Sequence, residues 1–351
     1  MTPHGIVLVT ILISLGAWLF PSFDYLYKGF SKRESVKFFS FSLFLIWYSS
    51  IIIVAYIGYN LPIKGKIKIK GQPLYDINNA SLYKLYILFA TLGVAYSYYI
   101  IVTNLGLLEI GIALVTNSGN QLKYALYENY SPGLASLRYI SIITGGLSIY
   151  KIAKTGFDKL HVYNLLLLLL TSLISSRVAF VNASIIGFTL IYFNLSFKEI
   201  SFKKILKYIA VFFAVITGLT FLRTYNTYEN LGISNPFMAV FSEIITYLGA
   251  PIQVFLGIGN NINRVIIGEN YYNFVDISSS LTTNSAFEDF VTQIGIWSFP
   301  LIVVTVFFFS LGMRFVMKNK QSFVFIFFPV SLYAFAERWR LYIFDTGIFQ
   351  T

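Results

Sequence analysis

Apolar residues gather in nine long blocks separated by polar connections, near residues 5–20, 38–59, 83–103, 134–150, 161–176, 178–195, 205–222, 296–313 and 322–344. About 20 apolar residues cross the roughly 30 Å of bilayer hydrocarbon. The pattern therefore predicts an all-α polytopic integral membrane protein, a bundle of about nine or more transmembrane helices. The block at 5–20 and the two that meet at Arg177 are short for full spans. The first has no basic flank and no A-x-A-like cleavage site, so it reads as a retained span rather than a signal peptide. No internal repeat and no compositionally simple tail is visible. One membrane domain over 1–351 is expected, with N-terminal helices in 1–222, a long outer (periplasmic) loop in 223–294 and C-terminal helices in 295–351.

Composition agrees with this pattern. The 351 residues are 56% hydrophobic and 12% charged, with mean hydropathy +0.70, whereas soluble domains are about 25% charged. A soluble globule is excluded. Aromatics make up 19% of the chain, which suits lipid-facing helices and the headgroup-level belts where amphipathic rings settle. The formal charge of +11 comes from Lys and Arg in short connections between apolar blocks, so it reads as topology rather than nucleic-acid binding. The chain has no cysteine, which closes disulfide, thiolate-metal and thiol-nucleophile chemistry.

The connections give orientation. Lys151, Lys154 and Lys159, then Lys198, Lys203, Lys204 and Lys207, then Arg314, Lys318 and Lys320 recur at every second connection and belong in the cytoplasm. The connection from Arg223 to Gly295 carries Glu229, Glu243, Glu269, Asp276, Glu288 and Asp289 against few cations and belongs outside. Extending the alternation puts Lys64, Lys66, Lys68 and Lys70 inside and 104–132 outside, with the N-terminus in and the C-terminus out. It also leaves Lys28, Lys32 and Arg33 outside, against the bias, unless one of the first three spans is not a simple crossing. Within the outer loop, Pro236 to Gly259 is apolar around Gly249-Ala250-Pro251 and is expected to lie in the interface or re-enter the bundle as an interrupted segment.

Arginines beside spans are the sharpest chemical signal, since an Arg at a span centre costs about 2.5–3.5 kcal/mol on insertion scales. Arg138, Arg177 and Arg223 are all expected at the outer face, and Arg264 lies in the outer loop. A guanidinium offers a planar fork of donors suited to phosphate oxygens; the competing role is snorkelling to headgroups. Glu288 and Asp289 shortly precede the eighth block, where they either favour a helix N-terminus or act as a general base toward a hydroxyl. Glu337 and Arg340, at i and i+3, read as an internal ion pair, and His161 as a structural residue. Two histidines and no cysteine argue against a zinc site. There is no D-x-D, P-loop, G-x-S-x-G or Rossmann fingerprint. An enzyme built this way needs no cofactor, an electrophile that arrives activated, and cations to stabilise its leaving group.

Three stretches resemble the oligosaccharide repeat-unit polymerases, the O-antigen or Wzy-type family. They are Thr282-Thr283-Asn284-Ser285-Ala286-Phe287-Glu288-Asp289-Phe290 with Gly295, Ser175-Ser176-Arg177, and Tyr247-Leu248-Gly249-Ala250-Pro251, in that family's order over about 105–315. The first hundred residues match only as generic spans. The family's Arg-then-Gly signatures are met loosely, by Arg177 with Gly187 and Arg223 with Gly232. The resemblance implies a glycosyltransferase at the outer face of the bacterial inner membrane. It would move a growing glycan from undecaprenyl pyrophosphate onto the non-reducing end of a new lipid-linked repeat unit. On that reading Arg177, Arg223, Arg138 and Arg264 bind the pyrophosphate, and Glu288 or Asp289 activates the acceptor. The partners are the undecaprenyl-pyrophosphate-linked oligosaccharide, membrane lipids and a chain-length regulator. Two alternatives stay open: a lipid-linked oligosaccharide flippase or transporter, and an O-antigen ligase with the same layout and a different acceptor.

Overall fold

The computed structural model describes residues 2–20, 29–30, 32–62, 76–116, 118–128, 133–174, 177–195, 202–229, 232–278, 285–318, 320 and 322–337. Within these, the side chains of 177, 202–209, 223, 224, 226, 227, 289, 293, 294 and 296 lie outside the description. The described residues are helical, apart from connections and one isolated bridge between Asp76 and Ser322. They cluster into two compact units, Met1–Gly65 with Phe237–Lys318 and Ser331–Phe349, and Lys66–Pro236 with Asn319–Val330 and Gln350–Thr351.

The first unit is built on α1 (Pro3–Trp18), α2 (Phe38–Asn60), α10 (Pro236–Asn260), α11 (Ile262–Ile267), α12 (Ala286–Ile294) and α13 (Ser298–Val316). Thr2 caps α1 by accepting from the Gly5 N–H at 3.3 Å, with Pro3 at the first helical position, where its missing N–H costs nothing. His4, at the start of α1, meets Tyr56 and Tyr59 at the end of α2, so the two helices run antiparallel. α2 and α13 run parallel: Trp47 lies against Phe299, and Gly58 faces Phe307 and Ser310. Glycine at 58 permits that approach, because a Cβ there would stand 2.7 Å from the Phe307 carbonyl oxygen. Arg314 lies 5.9 Å above the Tyr59 ring at one end of this unit.

The second unit contains α3 (Ala80–Leu105), α4 (Leu107–Val115), α5 (Asn120–Glu128), a 3-10 turn (Leu134–Tyr139), α6 (Ile140–Thr155), α7 (Lys159–Ile174), α8 (Arg177–Asn194) and α9 (Phe202–Glu229). Asn79 caps α3 by accepting from Ser81 N at 2.9 Å and Leu82 N at 3.1 Å. α7 returns between α6 and α8, which pack parallel and close: a Cβ on Gly146 would meet Ile186 at 2.6 Å, and one on Gly187 would meet Ile149 at 2.7 Å. Small residues at this seam let the backbones approach, as dispersion-driven helix packing requires where lipid supplies no hydrophobic drive.

Among the described residues, four helices are long and apolar enough to cross a membrane: Phe38–Asn60, Ala80–Leu105, Pro236–Asn260 and Ser298–Val316. Shorter apolar helices occupy Pro3–Trp18, Lys159–Ile174, Val178–Asn194, Ala210–Leu222 and Phe323–Glu337. The first of these, 16 residues, rises about 24 Å at 1.5 Å per residue, short of the roughly 30 Å core. Much of the expected outer loop is helical. α9 continues past Arg223 to Glu229, and Pro236–Asn260 is one unbroken helix through Gly249-Ala250-Pro251 rather than an interrupted segment. An internal Pro costs about 3 kcal/mol. Ile252, Val254, Phe255 and Leu256 are buried beside it, and their dense packing offsets the break.

Candidate functional site

Charged groups sort by end within the second unit. Lys151 stands 5.0 Å above the Tyr83 ring near the start of α3, Lys154 donates to Asn78 Oδ1 at 3.1 Å, and Lys320 lies 4.8 Å above Phe193 at the close of α8. These define a lysine end. The Arg138 backbone packs on Gly93, where a Cβ would collide with the Leu137–Arg138 peptide. The parallel register of α6 and α8 brings Arg177, the first residue of α8, to the same level as the turn that carries Arg138. Gly119 N donates to Leu222 O at 3.2 Å, which ties the Arg223 stretch of α9 to the α4–α5 connection. Arg138 and Arg177 therefore stand at one level, with the Arg138 backbone against the middle of α3, and Arg223 follows the residue that meets the α4–α5 connection; all three lie away from the end marked by Lys151, Lys154 and Lys320. The side chains of Arg177 and Arg223, like Ser175 and Ser176, lie outside the described residues.

Arg138 is wholly enclosed, at 0% exposure, rather than extended toward headgroups. Its Nη1 donates to the Ala135 carbonyl at 2.6 Å, and its Nη2 donates to the hydroxyls of Tyr127 at 2.9 Å and Tyr139 at 2.8 Å. The guanidinium carbon also lies 4.4 Å above the Tyr139 ring. A planar fork is filled by three oxygens and a π face, which is how a buried guanidinium is satisfied. The tyrosine hydroxyls lie 3.1 Å from each other, and Tyr127 reaches the surface. Arg138 thus holds the turn that opens α6, and its direct contacts are to protein.

Glu288 and Arg264 belong to the first unit, where α11 packs against α12. Ser285 caps α12 by accepting from Phe287 N at 3.3 Å, so Ser285-Ala286-Phe287-Glu288 has the spacing of a capping box, with Glu288 in the first turn. Glu288 is buried, and its Oε1 accepts from Thr292 Oγ1 at 3.4 Å. Phe287 beside it packs on Trp47 at 5.0 Å and Phe255 at 4.2 Å between ring centroids. Arg264 is exposed and lies 5.6 Å above the Phe274 ring. The Asp289 side chain, residues 279–284, the Lys64–Lys70 run, Arg338 and Arg340 lie outside the described residues.

Two polar clusters were not foreseen from sequence. At the end of the first unit opposite Arg314, Gln253 takes hydrogen bonds on Oε1 from Trp18 Nε1 and Glu34 N, both at 2.9 Å. Its Nε2 donates to the carbonyls of Lys32 at 2.7 Å and Asp276 at 3.1 Å. One buried carboxamide thus joins α1, the 32–34 strip, α10 and the 275–277 strip. In the connection that departs from the positive-inside bias, the Lys32 backbone N–H donates to Asp276 Oδ2, and Arg33 Nη2 donates to the Phe20 carbonyl at 2.9 Å. In the second unit, Tyr83 OH bonds Ser148 Oγ at 2.6 Å and His161 Nδ1 at 3.1 Å, and Asn164 links Ser148 to Thr144. Gln253 and Asn164 were visible as lone amides inside apolar runs, but their partners were not.

No family model matches the chain, and no characterised protein and no solved structure matches it. What fold and composition define is a class: a chain whose described residues are helical and include four helices long and apolar enough to cross a membrane.

Proposed function

We propose that this chain is an integral membrane glycosyltransferase of the bacterial inner membrane that polymerises lipid-linked oligosaccharide repeat units at the outer face, as its resemblance to the repeat-unit polymerases implies. The observation that carries the proposal is the placement of Arg138, Arg177 and Arg223 away from the end of their helical unit that Lys151, Lys154 and Lys320 mark. Lysine-rich ends favour the cytoplasm, so the arginine positions suit a lipid-linked anion in the outer leaflet. In the reaction, the acceptor hydroxyl attacks the anomeric carbon of the donor sugar, the bond from that carbon to the pyrophosphate oxygen breaks, and undecaprenyl pyrophosphate leaves with the bonding electrons. Arg177 and Arg223 stabilise its growing charge, while Arg138 acts as a positioning residue through Tyr127 and Tyr139. The acceptor proton passes to a base, for which the resemblance implies Glu288 or Asp289 of the first unit.

The test is genetic. Deleting the gene and separating surface polysaccharide on a gel should remove the length ladder and leave one repeat unit attached; loss of every repeat points instead to a flippase or a ligase. Arg177→Ala and Arg223→Ala, each at normal protein level, should reproduce the deletion, and wild-type ladders from both would refute the anion role.

A further inference from the structure

Within the first unit, α2 and α13 form the walls of an open groove of about 180 Å³, lined by Val54, Ile57, Val303, Val304, Phe307 and Phe308. Every side chain lining it is apolar, and Val304 and Phe308 are 50% and 62% exposed. Gly58 brings the two backbones together beside it, and toward the close of α13 stand Arg314 and Lys318, both exposed. At 3.6 residues per turn, Arg314 falls on the same stripe of α13 as Val303 and Phe307, about two turns or roughly 10 Å beyond Phe307. Its guanidinium sits over the Tyr59 ring of α2, so the cation caps the seam beside which the groove runs. Neither α1, α2 nor α13 contains a carboxylate.

We infer that this groove binds an anionic phospholipid from the leaflet at the Arg314 end, with one acyl chain lying along it and the phosphate at Arg314 and Lys318. The inference rests on the membrane-spanning class alone and is separate from the polymerase reading. Depth agrees with it. With Arg314 at headgroup level, Val303 stands about 16 Å deeper, close to half of a roughly 30 Å hydrocarbon core, so the groove lies inside one leaflet. An acyl chain in the groove meets two walls rather than one, which adds dispersion contacts that the open lipid surface lacks. A guanidinium fork suits phosphate oxygens, and each cation just beyond a helix end favours anionic lipid by about fivefold. A zwitterionic headgroup brings its own cation beside Arg314 and gains less.

The chain's lack of cysteine gives a direct test. Val304→Cys in the groove and Leu12→Cys on the exposed face of α1 each carry a bimane fluorophore, in full-length protein reconstituted into phosphatidylcholine vesicles. The probes are phosphatidylglycerol and phosphatidylcholine, each with a nitroxide on its acyl chain. At 304 the anionic probe should quench with about fivefold higher relative affinity than the neutral one, while at 12 the two should quench alike. Arg314→Gln should bring the ratio at 304 close to that at 12, and Arg314→Lys should keep most of it. Equal quenching by both probes at 304 overturns the site, as does the same anionic preference at 12 or a preference that survives Arg314→Gln combined with Lys318→Gln. Relief of quenching by equimolar undecaprenyl phosphate, with none from unlabelled phosphatidylglycerol, assigns the groove to an isoprenoid chain and also overturns the inference. Should Val304→Cys fold poorly, Phe308→Cys repeats the measurement with the same outcomes. Binding is read without transfer, so a lost or intact polysaccharide ladder in the gene deletion leaves this result standing by itself.

Discussion

Removing the two hydroxyls that hold Arg138 should destabilise the protein more than removing the arginine. In Tyr127→Phe/Tyr139→Phe the fully enclosed guanidinium loses both acceptors of its Nη2. Hydrogen bonds to charged groups are worth about 1.5–3 kcal/mol each, so the pair amounts to roughly 3–6 kcal/mol, a large part of the 5–15 kcal/mol by which domains are stable. In Arg138→Met the charge leaves with its donors. Tyr127 and Tyr139 can keep the 3.1 Å contact between their hydroxyls, and the Ala135 carbonyl loses its shorter donor but keeps Ser97 Oγ at 3.4 Å, at a cost of no more than about 1–3 kcal/mol. The assay is thermal unfolding of detergent-purified protein followed by size-exclusion chromatography, with the two single tyrosine variants included to complete the cycle. The expected order of apparent Tm is wild type, then Arg138→Met, then Tyr127→Phe/Tyr139→Phe. A double variant as stable as wild type would refute the claim that the hydroxyls satisfy the buried charge.

Three further outcomes are expected. Gly93→Leu should displace the Leu137–Arg138 backbone it abuts, with folded yield falling severalfold by fluorescence-detected chromatography; wild-type yield and Tm would contradict the close approach. Gln253→Leu strands a Trp18 N–H, a Glu34 N–H and two carbonyls at about 1–3 kcal/mol each, so it should lower Tm well beyond Trp18→Phe, which loses one bond; the reverse order would refute the hub. Exposed Tyr124 and Phe157 lie toward opposite ends of the second unit. An impermeant maleimide should label Tyr124→Cys in intact spheroplasts and Phe157→Cys only after permeabilisation, and the opposite pattern would invert the orientation.

The helices most legible in the sequence are those whose apolar blocks are bounded by strong local signals. The block at 38–59 becomes Phe38–Asn60, and the block at 83–103 becomes Ala80–Leu105 behind the Asn79 cap. Arg177 marks the start of α8 as expected. The segment at 134–150 misled on its boundary: Leu134–Tyr139 is a 3-10 turn clamped by Arg138, and the α-helix begins at Ile140. α10 was least legible. Gly249-Ala250-Pro251 carries strong break signals; the Trp18 backbone packs so near Gly249 that a Cβ there would stand 3.2 Å from it, and this contact with the burial around Phe255 explains why the helix persists. For the candidate sites, the common level of Arg138 and Arg177 follows from alternating lysine connections, which local charge reveals. The Gln253 hub, by contrast, joins residues more than two hundred positions apart, and no local pattern encodes such a pairing. The partners of Arg138, Tyr127 and Tyr139, were hidden among many tyrosines.

The parallel packing of α6 and α8 on either side of α7 sets a parity rule for this chain. Arg138 and Arg177 share a level because the chain makes one full descent and one full return between them. Lengthening either connection would leave both where they are. Inserting or deleting one apolar helix between residues 140 and 176 would instead send one arginine to the lysine end, beyond the reach of any side chain. The number of passes in this stretch is therefore under tighter constraint than the sequence of any single pass, and variants should tolerate extensive apolar substitution in α7 long before they tolerate its loss.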